Sequence, residues 1–185
     1  GIFLVFNLLD SNTSAAIIGL EGAMVQMISH GLISAALFFC IGIIYKHSKS
    51  RLLKDNYGVS KFMPIFSFMM IFFLMANSGL PGTSGFVGEF LVITSSLGSS
   101  FLLGFLAATS LLLSASYSLK MGKNVLFGDN TKNIQGYVEC EFNEKLVLSF
   151  LILFILYLGI VPDYFFKIID QSIIGIVESI SLGKI

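Results

Sequence analysis

The sequence predicts an all-α fold: a polytopic membrane helix bundle in which one crossing helix is discontinuous. Three observations carry that reading. Hydrophobic residues make up 55% of the chain and charged residues only 12%, with mean hydropathy +0.88, whereas soluble domains carry about 25% charge. The apolar residues gather into runs near the length of a membrane crossing, separated by polar loops. One run, 64–98, is interrupted at 77–90 by N-S-G-L-P-G-T-S-G-F-V-G-E-F, where Pro81 and Gly82 sit together and Glu89 is the only charge. Proline removes a backbone donor and clashes with the preceding turn, and glycine lowers the cost of non-helical dihedrals. A helix entering at Pro64 should therefore break at 80–85 and restart near Ser84 or Phe86.

Taken in order, 1–9 is uncharged and reads as a partial helix, the tail of an apolar segment too short to cross alone. The chain starts at Gly1, with no cleavable signal pattern, which suggests a processed chain, an unusual start codon or a piece of something longer. A polar turn at 10–14 leads to the first full span, about 22–45, which carries His30 between Ser29 and Gly31. The loop 46–61 sets Lys46, Lys49, Arg51, Lys54 and Lys61 against the single acid Asp55. The broken span 64–98 ends in a Ser/Gly turn, and 101–119 is an uncharged run long enough to cross. Gly104, Ala108, Ser110, Ser114 and Ser118 give that run a small-residue face suited to close helix contact. A second polar loop, 120–145, precedes an apolar run at 146–161 that needs its flanks to cross. Residues 1–162 thus form the transmembrane bundle. In 163–185, Phe165, Phe166, Ile169, Ile173, Ile176, Val177 and Ile180 recur at helical spacing, an amphipathic C-terminal helix on a membrane surface or along a partner.

Charge sets the topology. Basic residues gather on the cytoplasmic or matrix side of short loops. The loop 46–61 carries five, and Lys120, Lys123, Lys132 and Lys145 are the next richest cluster, so both loops belong inside. That requires 64–98 to cross once, as a broken helix, and 101–119 to cross back, leaving the end of the chain outside. His30 then lies eight residues from the outer edge and Glu89 nine, each about 12–14 Å deep in a core about 30 Å thick. A titratable group at that depth is a functional-site hypothesis, and two at one level beside a broken helix point to proton transfer through internal water.

Other chemistries find no signal. Net charge is +0, which offers nothing for a polyanion, so no nucleic-acid partner is expected. There is no Cys/His cluster at metal-ligand spacing and no Gly-rich strand-turn-helix phosphate loop. Cys40 in an apolar run and Cys140 in a polar loop make no disulfide framework and read as structural.

Several stretches are recognisable. M-I-S-H-G-L-I-S-A-A-L-F-F-C-I-G (27–42), Tyr45 with Arg51 after it, and L-P-G-T-S-G-F-V-G-E-F (80–90) resemble the antiporter-like membrane subunits of the proton-translocating NADH:quinone oxidoreductase, respiratory complex I. Tyr117 to Leu119 with Phe127-Gly128, and G-I-V-P ending at Pro162, fit as well, and Ser29-His30-Gly31 before A-L-F-F points to the chain 4 branch. The resemblance covers nearly the whole chain. It implies an antiporter-like fold of about fourteen helices with discontinuous helices lining a central polar axis, of which this chain would hold the last third. It implies that Glu89 is the glutamate of the second broken helix, at the outward end of the proton path, that His30 belongs to the central relay, that Arg51 is a loop-side basic residue, and that Pro81 and Gly82 form the break. It also implies a mitochondrial inner-membrane location and partners: a separate chain carrying the earlier helices, other membrane-arm subunits, and lipid. No cofactor is expected in this chain; NAD, FMN, iron–sulfur clusters and ubiquinone would sit on other subunits. The family's other relay residues are absent here, and Lys46-His47 stands where an acidic-basic pair is common. The alternatives are a subunit of a multisubunit cation/proton antiporter or a plastid-type complex, and a silent membrane scaffold in which His30 and Glu89 only pack.

Overall fold

The computed structural model describes residues 13–129 and 137–181, so the expected partial helix at 1–9 lies outside the described residues. Six helices follow one another: α1 Thr13–Ser48, α2 Pro64–Asn77, α3 Ser84–Ser99, α4 Phe101–Phe127, α5 Phe142–Ile160 and α6 Asp163–Ser181. Two 3-10 turns, Leu53–Asp55 and Val59–Lys61, connect α1 to α2. No strand occurs among the described residues.

Several helices outrun their apolar runs, each for a local reason. α1 includes Thr13 and Ser14, a turn by sequence, because its first residues are held from two sides. Ile173 and Val177 of α6 bury Ala15 and Ala16, and the Ser95 hydroxyl of α3 donates to the Ala15 carbonyl at 2.7 Å. Tertiary packing decides helix length more than propensity does. α4 continues through Lys120 and Lys123, and α5 starts at Phe142 because E-F-N-E forms a capping box. There the Glu141 and Glu144 side chains each satisfy a backbone donor of the first turn.

α1, α4 and α5 are each long and apolar enough to cross a membrane. At 36 residues α1 runs about 54 Å, well beyond a hydrocarbon core of about 30 Å. α2 and α3, with 14 and 16 residues, are each too short for a comfortable crossing. The turns at Leu53–Lys61 meet α2 at 116° and carry Lys54, Asp55 and Lys61, so they belong to the loop.

α2 is the centre of the core. Its Phe66, Met70 and Phe73 are buried against Cys40 and Ile43 of α1, Leu126 of α4, and Leu148 and Ile155 of α5. Both cysteines are free and buried.

The two basic loops meet at one end of the bundle. Lys46 at the end of α1 pairs with Glu141 and, at 3.2 Å, with Glu144 at the start of α5. The Tyr137 hydroxyl donates to Asn56 Oδ1 at 2.9 Å, the Tyr137 ring stacks on His47, and the Ser60 hydroxyl donates to the Leu126 carbonyl. The opposite end holds the tight α3–α4 turn at Ser100 and the docking of α6 on the start of α1.

Glu139 ties this loop end to the core helix. Pro64 opens α2 with no N–H to donate, and Met63 offers no side-chain cap. The Glu139 carboxylate supplies the cap from the other loop, accepting from the Ile65 N–H at 2.9 Å and the Phe66 N–H at 3.2 Å. Burial pushes its carboxyl up, but these bonds and those from Cys140 outweigh it and hold it below the usual carboxylate range. A depressed pKa adds stability above the unfolded-state pKa and loses it as pH falls through the folded one. Glu139→Ala should therefore lower thermal stability in the membrane by about 1 kcal/mol. The wild-type advantage over Glu139→Gln should fade below about pH 4; an advantage independent of pH would contradict the cap.

Candidate active site at the broken helix

α2 ends at Asn77, and residues 78–83 are non-helical before α3 begins at Ser84. The break starts two residues before the expected 80–85 because Gly79, not Pro81, ends the helix. Gly79 has φ +77°, its N–H donates to the Ala76 carbonyl at 3.2 Å, and the Leu80 N–H donates to the Met75 carbonyl at 3.1 Å. This is the Schellman pattern of a helix end closed by a left-handed glycine, with proline just beyond. Other freed groups are also answered: the Ser78 hydroxyl donates to the Leu74 carbonyl, and the Thr83 hydroxyl and N–H both donate to the Leu80 carbonyl. α5 covers the break, since a Cβ on Gly159 would lie 2.4 Å from the Gly82 carbonyl oxygen.

α1 and α3 pack backbone to backbone across the site. A Cβ on Gly22 would lie 2.9 Å from the Val92 nitrogen, and one on Gly88 would lie 2.8 Å from Gln26 Cα. The buried hydroxyls of Ser29 and Ser84 share a 2.8 Å hydrogen bond beside this contact.

A cavity of about 140 Å³ opens where α1, α2, α3 and α4 converge, lined by His30 and Glu89 together with Gln26, Asn77, Ser114 and Tyr117. Long helical side chains lean toward the helix start, and Glu89 does so: its Oε2 would lie 2.7 Å from a Cβ on Gly79. Gln26 Nε2 donates to Glu89 Oε1 at 3.4 Å, whereas Glu89 Oε2 and Gln26 Oε1 are buried with no protein partner. Asn77 Nδ2 donates to Tyr117 Oη and Ser118 Oγ, both at 3.0 Å, and the Ser114 hydroxyl donates to the Asn77 carbonyl at 2.9 Å. The cavity is large and polar enough to hold water. A carboxyl, an imidazole and a phenol on a site of that size form a set able to pass protons along bridging water.

The structure brings His30 and Glu89 to one cavity, but not into the buried core that a buried pair requires. Glu89 is half-buried and His30 exposed, and no charged residue among the described ones is fully buried. The reason is geometric: His30 is exposed at the rim of the cavity, and a Cβ on its neighbour Gly31 would meet nothing within 4 Å. Arg51 is not brought to the pair. It lies past Tyr45, about 22 Å along α1 from His30, and lines a different cavity. Sequence reasoning missed Gln26 and Asn77. Gln26 stands one helical turn before His30, and Asn77 opens the N-S-G break, so spacing could have found both. Ser114 read as a small packing residue and instead holds the last carbonyl of α2.

Gly79 and Gly82 share a left-handed backbone, but a Cβ meets Glu89 only at Gly79 and nothing within 4 Å at Gly82. Gly82→Ala should cost about 1–2 kcal/mol from backbone strain alone. Gly79→Ala should cost more, by displacing the carboxylate. Thermal unfolding in membranes checks the difference, and equal losses would contradict the carboxylate over Gly79.

Comparison with known proteins places the chain in a family and agrees with its fold. Residues 7–114 match the family described as NADH:quinone oxidoreductase/Mrp antiporter, TM. The NADH-ubiquinone oxidoreductase chain 4 of Marchantia polymorpha is 37% identical over 86% of this chain, and that of Prototheca wickerhamii 38% identical over 93%. The NADH-quinone oxidoreductase subunit M of Rhodobacter capsulatus is 36% identical over 87%. In each case the chain spans only 32% of the relative's length. Among solved structures, one titled respiratory complex I from Thermus thermophilus with bound NADH superposes on 90% of this chain and 36% of its own, with TM-score 0.69 and 24% identity, and shows the same fold. The chain belongs to the NADH:quinone oxidoreductase/Mrp antiporter membrane family.

Proposed function

We propose that this chain is the C-terminal part of chain 4 of the proton-translocating NADH:ubiquinone oxidoreductase, respiratory complex I, and that it passes protons through Glu89 and His30. One observation carries the reading: Glu89, one of whose carboxylate oxygens is buried without a protein partner, lines a polar cavity together with His30, beside a broken stretch of backbone that α5 lies against. A carboxylate facing lipid at that depth is expensive, about 2.5–3.5 kcal/mol on insertion scales, so a protein-lined, hydrated surrounding favours it. The remaining helices of such a subunit, on whichever polypeptide they lie, would cover the open His30 face and bury the pair. Protons reach Glu89 through water beside Tyr117 and Asn77, and leave it toward His30 and the central axis. Arg51 holds the loop-side end as a basic residue outside this cavity. NAD, FMN, iron–sulfur clusters and ubiquinone are assigned to other subunits, other membrane-arm subunits and lipid are its partners, and the mitochondrial inner membrane is its place.

The relatives' names favour an NADH-linked complex over a cation/proton antiporter, and inhibition at the quinone site separates the two. In the assembled complex, Glu89→Gln keeps size and hydrogen bonding but cannot titrate. It should assemble and transfer electrons while proton uptake per electron falls, and Glu89→Asp should retain part of it. Wild-type uptake in an assembled Glu89→Gln complex would end the claim, and with it leave the silent scaffold.

Topology gives a second test. The ion pairs between Lys46 and the start of α5 join the two basic loops, which supports the reading that α2 and α3 together make one crossing. Cysteines at Lys54 and Asp129 should be protected from outside reagents and one at Gly98 reached. Labelling of Lys54 and Asp129 from opposite faces would refute the single broken crossing.

A further inference from the structure

A second cavity, larger than the one at Glu89, lies at the loop end of α1. It measures about 520 Å³ and runs between α1, α2 and α4 beneath the 50–56 loop. Its walls are apolar, with Phe38, Ile41, Tyr45, Met70 and Met121 among them, and Arg51 stands at its polar mouth. Phe38 and Tyr45 are seven residues apart on α1, so the slot descends about 10 Å from the level of Arg51. It is therefore a groove open at the level of the membrane surface and greasy below.

Arg51 is held in place by its neighbours. Asn56 Nδ2 donates to the carbonyls of Ser50 at 3.1 Å and Leu52 at 2.8 Å, the residues on either side of it. The Ser50 hydroxyl donates to Asp55 at 2.6 Å, which turns the loop's acid onto the loop itself. The guanidinium lies 5.5 Å from the centre of the Tyr45 ring, and no carboxylate among the described residues pairs with it. An exposed arginine at the mouth of an apolar slot, without a carboxylate partner among the described residues, leaves its donors open to an acceptor from outside the chain, and phosphate oxygens match their fork.

We propose that this slot is a binding site for an anionic phospholipid, its phosphate on Arg51 and one acyl chain between Phe38, Ile41 and Met121. Two observations favour a lipid over a partner helix. The mouth is cationic while the depth is apolar, which is the polarity of a lipid and not of a crossing helix. Lys49 and Lys54 flank Arg51 in sequence and add positive charge at the headgroup level, the arrangement by which basic pockets between membrane helices select anionic lipids.

Photolabelling in native membranes tests the site, using the complete assembly and two probes that share one diazirine-bearing acyl chain, a phosphatidylglycerol and a phosphatidylcholine. Both lipids carry the phosphate, but only phosphatidylcholine balances it with its own choline cation. The phosphatidylglycerol should therefore label peptides 38–45 and 121–125 about fivefold more than the phosphatidylcholine, the ratio expected for about 1 kcal/mol of net-charge preference. Arg51→Gln should bring the two probes level, and Arg51→Lys should keep part of the preference. Gly42→Phe fills the slot from a position where a Cβ meets nothing within 4 Å, and should abolish labelling by both. Equal labelling of the wild type would overturn headgroup selection. Cross-linking of the slot peptides to another polypeptide in place of either probe would show that protein fills the groove. The wild-type ratio and Gly42→Phe decide the matter even where Arg51 variants fail to assemble.

Discussion

The structure depends on satisfying a stretch of irregular backbone at membrane depth. Hydrocarbon offers no hydrogen bonds, so each freed N–H and carbonyl must find a partner within protein or internal water. Residues 78–83 meet that demand in two ways, by a glycine-closed helix end at Gly79 and by hydroxyls of Ser78 and Thr83 returned to nearby carbonyls, while Gly159 of α5 packs against the Gly82 carbonyl and keeps lipid from it. The need to cover the break explains why α5 packs there, why α1 and α3 approach through Gly22 and Gly88, and why Ser114 is a serine. Among buried side-chain atoms near the break, Glu89 Oε2 and Gln26 Oε1 are left without a protein partner.

That division gives the site its character. A frame tied by hydrogen bonds holds a carboxylate with one unpartnered oxygen, on a residue that lines an open volume together with an imidazole. Buried groups without partners are uncommon in native proteins and tend to mark function or bound water. The loop end is built on the opposite plan. There Lys46, Glu141, Glu144 and Glu139 are paired or capping, and they hold the helix ends in register. Arg51, stacked on Tyr45 above an apolar groove, stands outside that set.

Much of this was legible in the sequence. Apolar runs and polar loops set the helices, and Pro81-Gly82 in an apolar segment announced a discontinuity. Equal depth brought His30 and Glu89 together before any coordinates did. The rest was not legible for identifiable reasons. Gly79 ends α2 through a backbone pattern that composition does not distinguish from its neighbours. The extension of α1 to Thr13 rests on contacts from α3 and α6, which are distant in sequence. The capping of α2 by Glu139 joins residues more than seventy positions apart. The exposure of His30 was not legible because spacing along a helix gives depth, not which neighbours cover each face.

The central claim is that Glu89 and His30 share a hydrated, protein-covered path. A high-resolution map of the chain within its native membrane assembly tests it most directly. The account predicts ordered water between the Glu89 carboxylate, Tyr117 and His30, with a protein helix closing the His30 face. Lipid tails or apolar side chains filling that space, with no water between the two residues, would contradict it.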